Sequence, residues 1–122
     1  MMIFIAESNE DLRVGLQMYL QNEVGLNVVG IAVQAKGLIR QLEATEADVL
    51  ILDWSLQGSS MPELLTDIRR LQNPPKIVVL AARSDIEAVA LDAGADAFFD
   101  KGYAPGRLLE AVQSMKELGT SS

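Results

Sequence analysis

Five short apolar runs alternate along the chain with five stretches whose apolar residues recur at helical spacing, and this alternation limits the possible folds more than any other feature. The runs are Met2 to Ala6, Asn27 to Ala32, Asp48 to Leu52, Lys76 to Ala81 and Asp96 to Asp100. Several are apolar on consecutive positions, as strands covered on both faces should be, whereas solvated antiparallel strands alternate. The stretches between them each carry one apolar stripe to bury, for example Leu12, Leu16, Tyr19 and Leu20, or Leu64, Leu65, Ile68 and Leu71. Five successive βα units with short connections require right-handed crossovers and a parallel sheet between helix layers. At 122 residues the chain has the length of one such domain. Periodicity leaves the strand order open, and a doubly wound 2-1-3-4-5 order is compatible with it.

Boundary signals agree with the alternation. Ser60 with Glu63 and Ser84 with Glu87 have capping-box spacing, and Ser8 with Asp11 is a weaker version. Pro62 suits a first helical turn, Pro74 and Pro75 are expected to end the third helix, and Gly94 can supply the left-handed cap of the fourth. Residues 1–118 read as one domain, and Gly119 to Ser122 as a frayed tail or the start of a linker. No output domain is visible after the fifth helix, so the chain is either freestanding or one piece of something longer.

Composition removes several kinds of chemistry. With no cysteine and no histidine, disulfide frameworks, Cys/His zinc sites, thiol catalysis and Ser-His-Asp mechanisms are excluded. A formal charge of −7 repels phosphodiester backbones, so direct nucleic-acid binding is not expected. The apolar runs are far shorter than the roughly 20 residues that cross a bilayer. Met1 to Ala6 has no basic flank and is followed at once by Glu7, Glu10 and Asp11, unlike a secretory signal. A cytoplasmic location is expected.

In open parallel sheets ligands bind beyond the carboxyl ends of the strands. The first run ends at Glu7 and Ser8, the third at Asp53 and Trp54, the fourth at Ala81 and Ala82, and the fifth at Asp100 and Lys101. If the first and third strands are neighbours, Glu7 and Asp53 face one crevice, and Mg²⁺ accepts one or two carboxylates plus waters. A carboxylate flanked by a cation and a lysine is placed to attack phosphorus, since both positive centres stabilise the transferring charge. The plainer reading of each charge is a first solvated position after a buried run, with Lys101 paired to Asp100 or Asp96. Ser8 reads as a helix cap, having no histidine to activate it, and Trp54, Phe98 and Phe99 read as packing residues.

Taken together, these residues resemble the receiver domain of two-component response regulators over essentially the whole chain. Ile3 to Arg13 looks like the family's first strand, acidic pair and first helix; Asp48 to Gly58 like the third strand, phosphoacceptor and following turn; Ala93 to Lys101 like the approach to the active-site lysine. The resemblance implies a flavodoxin-like three-layer α/β sandwich, with a five-stranded parallel sheet in the order 2-1-3-4-5. It implies that Asp53 accepts a phosphoryl group from a histidine kinase or phosphotransfer protein. Glu7 and Asp53 with the Ser55 backbone carbonyl would hold Mg²⁺, and Lys101 would bind the phosphoryl oxygens. It further implies a downstream effector, or a second copy in a homodimer, reading the face of helix 4, strand 5 and helix 5, where Ile86, Glu87, Tyr103, Pro105 and Arg107 are candidate contacts.

Four positions depart from the family pattern. Ser8 stands in the second place of the acidic pair, so one metal-ligand charge is missing. Ala81 stands where a Thr or Ser hydroxyl normally reaches the phosphoryl group, whereas Phe98 keeps to the pattern in the place of the switch aromatic. Gln57 and Gly102 replace usual prolines. A hydrogen bond to a charged group contributes about 1.5 to 3 kcal/mol, while a full two-state switch requires roughly 5.5 kcal/mol, so losing the hydroxyl at Ala81 removes much of the drive. The expectation is an atypical receiver with weakened Mg²⁺ binding and weakened switching. The alternative is a phosphorylation-independent interaction module. A Mg²⁺-dependent phosphatase is disfavoured, because Ser55 stands where a second acid would be required, and no nucleotide-binding glycine loop is present.

Overall fold

The computed structural model describes residues 1–102 and 105–120 of the chain. Its elements run β1 (Met2–Ala6), α1 (Glu10–Gln21), β2 (Asn27–Ala32), α2 (Leu38–Thr45), β3 (Val49–Asp53), α3 (Met61–Arg69), β4 (Lys76–Ala81), α4 (Glu87–Asp92), β5 (Ala97–Asp100) and α5 (Pro105–Thr120). The strands form one parallel sheet in the order β2-β1-β3-β4-β5, so the doubly wound arrangement is present as expected.

Strand alternation divides the interior in two. Phe4, Leu50, Leu52, Ile77, Val79, Ala81 and Phe98 face α2, α3 and α4 and meet Leu38, Leu42, Leu65, Ile68 and Ala90. Ile3, Ile5, Val49, Ile51, Val78 and Leu80 face α1 and α5 and meet Leu16, Leu20, Leu108, Val112 and Met115. The consecutive apolar runs are thus explained by burial on both faces of a three-layer sandwich.

Several boundary expectations are corrected. Ser8 does not cap α1; the N-cap is Asn9, whose Oδ1 accepts the Leu12 amide at 2.9 Å. Ser60 holds the N-cap position of α3 with Pro62 in the first turn, but its side chain makes no capping bond. Ser84 opens a single 3₁₀ turn, Ser84–Ile86, and α4 starts only at Glu87, so the Ser84/Glu87 box does not form. α3 ends at Arg69, ahead of the prolines, where the Arg70 amide closes the last turn on Thr66 and Asp67. Gly94 behaves as expected: at φ +116° its amide bonds Leu91 O and the Ala95 amide bonds Ala90 O, the paired closure of a Schellman end. Tyr103, among the expected contact residues, lies outside the described residues.

Glycine is required at one strand position. A Cβ on Gly30 would lie 2.3 Å from Cε2 of the fully buried Phe4, where the β1 register shifts between Ile3 and Phe4. β2 therefore passes directly under the Phe4 ring.

Candidate functional site

Three strand ends deliver the charged groups to one rim. Asp53 is the last residue of β3, Glu7 follows β1, and Lys101 follows β5. Backbone bonds fix the outer two: the Glu7 amide donates to Ala32 O at 3.0 Å and the Lys101 amide to Ala81 O at 2.8 Å. Residues from opposite ends of the sequence meet because β1 and β4 both flank β3.

The three side chains are in direct contact. Lys101 Nζ lies 3.0 Å from Asp53 Oδ1, 3.1 Å from Glu7 Oε1 and 3.2 Å from Glu7 Oε2. Both carboxylates are 0% exposed, and the ammonium retains a solvent edge. The plainer pairings of Lys101 are not found: Asp96 bonds Arg69 and the Ile77 amide, and Asp100 accepts the Gly102 amide at 2.7 Å. That last bond gives Gly102 a role that proline, lacking an N–H, could not fill.

Asp53 is surrounded by donors. Ser8 Oγ donates to Oδ2 at 2.6 Å and the Ser8 amide at 3.2 Å; Ser55 Oγ donates to Oδ1 at 2.7 Å and the Ser55 amide at 2.9 Å. Burial alone would push this carboxyl up, but the Ser8 and Ser55 bonds and Lys101 outweigh it and hold Asp53 well below the usual carboxylate range. Glu7 has fewer partners. Burial raises its pKa above 4.5 and adjacent Asp53 adds to the rise, against the opposing pull of the Asn9 amide at 2.9 Å and of Lys101. Lys101 loses hydration, yet its two acidic partners raise its pKa above the ordinary value.

Among the described buried side-chain atoms, Glu7 Oε1 is the one with no hydrogen-bond partner beyond its ion pair with Lys101. No set of three or more acidic, histidine or cysteine groups able to hold a metal ion occurs among the described residues. The oxygens that could meet a hard cation are therefore those of Glu7 and Asp53, with the Ser55 carbonyl, which the Gln57 amide touches at 3.4 Å. These donors suit Mg²⁺, which takes one or two carboxylates and keeps waters. They provide one charge fewer than a site with an acid in place of Ser8.

Ala81 and Phe98 lie on the helix-2 to helix-4 face of the sheet, both buried in the same apolar cluster, with Trp54 and Ile86 packed at its edge. An open depression of about 210 Å³ lies past the ends of β3 and β4, lined by Trp54, Ser55, Ala81, Ala82, Arg83 and Ile86. Phe99 faces the opposite cluster.

Sequence reasoning missed the parts played by four residues. Asn9 both caps α1 and supplies an amide to Glu7, and an asparagine before an acidic first turn was a sufficient signal for the cap. The Ser8 hydroxyl as a partner of Asp53 carried no signal, since that contact depends on strand pairing, whereas Ser55 reaches Asp53 locally, two residues on, in the manner of an Asx turn. The Arg69 link from α3 to Asp96 and Gly94 O is likewise a tertiary feature.

A family model described as the response regulator receiver domain matches residues 3–113. Over 115 residues the chain is 27% identical to the response regulator UvrY of Escherichia coli O6:H1, covering 93% of this chain and 53% of that protein. It is 30% identical to the nitrate/nitrite response regulator NarP of Escherichia coli K12, covering 92% and 53%. The chain thus spans about half the length of these relatives. The isolated REC domain of RcsB from Salmonella enterica serovar Typhimurium, solved with the phosphomimetic BeF3-, superposes with TM-score 0.85 at 27% identity over 96% of this chain and 88% of that one. The response regulatory domain of mrkE from Klebsiella pneumoniae matches the fold with TM-score 0.88 at 18% identity over the whole of both chains.

Proposed function

The chain belongs to the response regulator receiver family, and from that premise we propose that Asp53 accepts a phosphoryl group from a histidine kinase or phosphotransfer protein. Receiver domains are phosphoacceptors of two-component signalling and not enzymes in the usual sense. The reading rests on one observation: the Lys101 ammonium lies 3.0 Å from Asp53 and 3.1 Å from Glu7 at the carboxyl edge of the sheet.

An ionised Asp53 oxygen attacks phosphorus, the bond from phosphorus to the donor nitrogen or oxygen breaks, and its electron pair leaves with the donor. The product is a mixed anhydride on Asp53. Its ionisation at neutral pH, ensured by the surrounding donors, supplies the nucleophile without a separate base. Lys101 holds the transferring oxygens, and its raised pKa keeps it charged. Mg²⁺, when bound, neutralises phosphoryl charge; Glu7, Asp53 and the Ser55 carbonyl are the residues to hold it. With Ser8 in place of an acid, that binding is weakened.

Signal leaves through the α4, β5 and α5 face toward an effector or a second copy, with weakened coupling because Ala81 has no hydroxyl to offer. The saturation of Asp53 by its own neighbours favours a second reading, in which partners bind this face without phosphorylation. No helix among the described residues is long and apolar enough to cross a membrane.

Incubation with acetyl phosphate and Mg²⁺ followed by intact-mass measurement tests the first reading. One added phosphoryl group that disappears in Asp53→Asn is expected. No adduct at saturating Mg²⁺, with partner binding unchanged in Asp53→Asn, would establish the second.

A further inference from the structure

Five donors meet the roughly four lone-pair sites of the Asp53 carboxylate. Oδ1 is taken by the Ser55 hydroxyl and amide and by Lys101; Oδ2 is taken by the Ser8 hydroxyl and amide. Across the lysine, Glu7 Oε1 is wholly buried and meets a single partner, the Lys101 ammonium at 3.1 Å. One carboxylate is saturated by protein, and its neighbour has unused acceptor capacity.

Resting on the reading that this pocket takes Mg²⁺, we infer that the Ser8 hydroxyl competes with the cation for Asp53 and is not one of its ligands. An ionised carboxylate can only accept, so at 2.6 Å the Ser8 proton is directed at Oδ2 and fills the position a divalent ion must use. Ligation by Ser8 itself would require the hydroxyl to rotate and give up a charge-assisted bond, the strongest kind available to it. Ser55 does not compete in this way, because its hydroxyl covers Oδ1, the oxygen already turned to Lys101. The Glu7 oxygen whose one partner is Lys101 then marks the second contact point of an ion that arrives once Ser8 is displaced. Ser8 is a positioning residue that keeps Asp53 held and ionised in the absence of metal.

The two roles predict opposite signs for one substitution. Ser8→Ala removes the competitor and should bind Mg²⁺ about tenfold tighter than the parent, the size expected for a lost charged hydrogen bond. Trp54, next to Asp53, reports binding by fluorescence, and calorimetry checks it independently. Ser8→Thr keeps the hydroxyl and should match the parent. Thermal unfolding should show a larger rise with Mg²⁺ in Ser8→Ala than in the parent, as binding to the native state alone requires. Equal or weaker Mg²⁺ binding in Ser8→Ala overturns the inference and makes Ser8 a ligand. If Ser8→Ala does not fold alone, folding restored by Mg²⁺ supports the competitor role and failure of rescue overturns it. A parent that gains no phosphoryl group at saturating Mg²⁺, while Ser8→Ala binds the ion more tightly, refutes the phosphoacceptor reading and leaves this one standing.

Discussion

Ser8 and Asp53 are joined by a 2.6 Å hydrogen bond between a hydroxyl and a fully buried carboxylate, at the place where the resemblance to receiver domains puts the second of two acids. The exchange changes the charge balance of the pocket. Two carboxylates face one ammonium, so with both acids ionised the side chains sum to a single negative charge.

Ser8→Asp should reverse that balance. A third acid beside Glu7 and Asp53 adds repulsion that Lys101 alone does not offset, and loses the bond Ser8 made. Without Mg²⁺ the variant is expected to be less stable by about 1–3 kcal/mol, or several degrees in Tm. With Mg²⁺ it should exceed the parent in metal affinity and in the rate of Asp53 phosphorylation. Calorimetric melts with and without the ion, and time courses with acetyl phosphate, check both halves.

The two acids should pull stability in opposite directions as pH changes. Glu7 titrates above its ordinary 4.5 in the fold, so the native state holds the proton more tightly than the unfolded chain. Its contribution improves as pH falls through the folded value toward 4.5 and is lost as pH rises. Asp53 titrates below its ordinary 3.8, so its contribution is complete above that value and disappears on further acidification. Urea unfolding between pH 7 and pH 3 should therefore show a maximum on the acid side of neutrality. Glu7→Gln should remove the rise, and Asp53→Asn should flatten the fall.

Lys101→Met should separate the charge of the lysine from its bulk. The thioether fills a similar volume, but two buried carboxylates then face each other without a counter-charge. Breaking a buried pair costs about 3–5 kcal/mol, and the solvent edge of Lys101 places this case at or below the lower figure. The loss should shrink when Glu7 takes up a proton, so denaturation at pH 7 and pH 5 should show a larger deficit at pH 7.

How far the site could be read from the sequence depended on whether a residue's role is local or tertiary. β1, β2 and β4 coincide with their apolar runs, since consecutive burial on two faces leaves a direct mark. β3 and β5 each start one residue later than read, because Asp48 and Asp96 turn outward and bind backbone amides: Asp48 accepts the Met2 amide and Asp96 that of Ile77. Glu7, Asp53 and Lys101 were legible because each ends a run. The use of Ser8 was not, since a serine ahead of an acidic turn looks like a cap until β3 brings Asp53 beside it. Ser84 misled for a related reason: its spacing is right, but the chain makes a 3₁₀ turn first, and capping is exchanged for a tighter entry into α4.

Ala81→Thr should be accommodated at little cost. The depression beside Ala81 leaves room for two further heavy atoms, and threonine suits a strand, so stability should change by less than about 1 kcal/mol. The new hydroxyl would border the same depression as Trp54 and Ser55, which follow Asp53 in the chain. On adding beryllofluoride and Mg²⁺, the Phe98 ring resonances should move more in Ala81→Thr than in the parent; equal shifts in both would show that Ala81 does not limit coupling.

Gly30→Ala tests how the edge strand supports the site from a distance. The added methyl would sit 2.3 Å from the Phe4 ring, which is fully buried and has the core on its other side, so either the ring leaves its rotamer or β2 moves outward. Overpacking of this kind costs about 1–3 kcal/mol. Two residues further on, Ala32 O accepts the Glu7 amide, so displacement of β2 is transmitted to the first acid of the pocket. The expected result is a lower urea midpoint with weakened Mg²⁺ binding. Adding Phe4→Leu, which withdraws the ring edge, should recover part of both, giving a coupling energy between the two positions. Equal additive losses in the double variant would mean that ring and methyl never meet, and that Gly30 is required for its backbone alone.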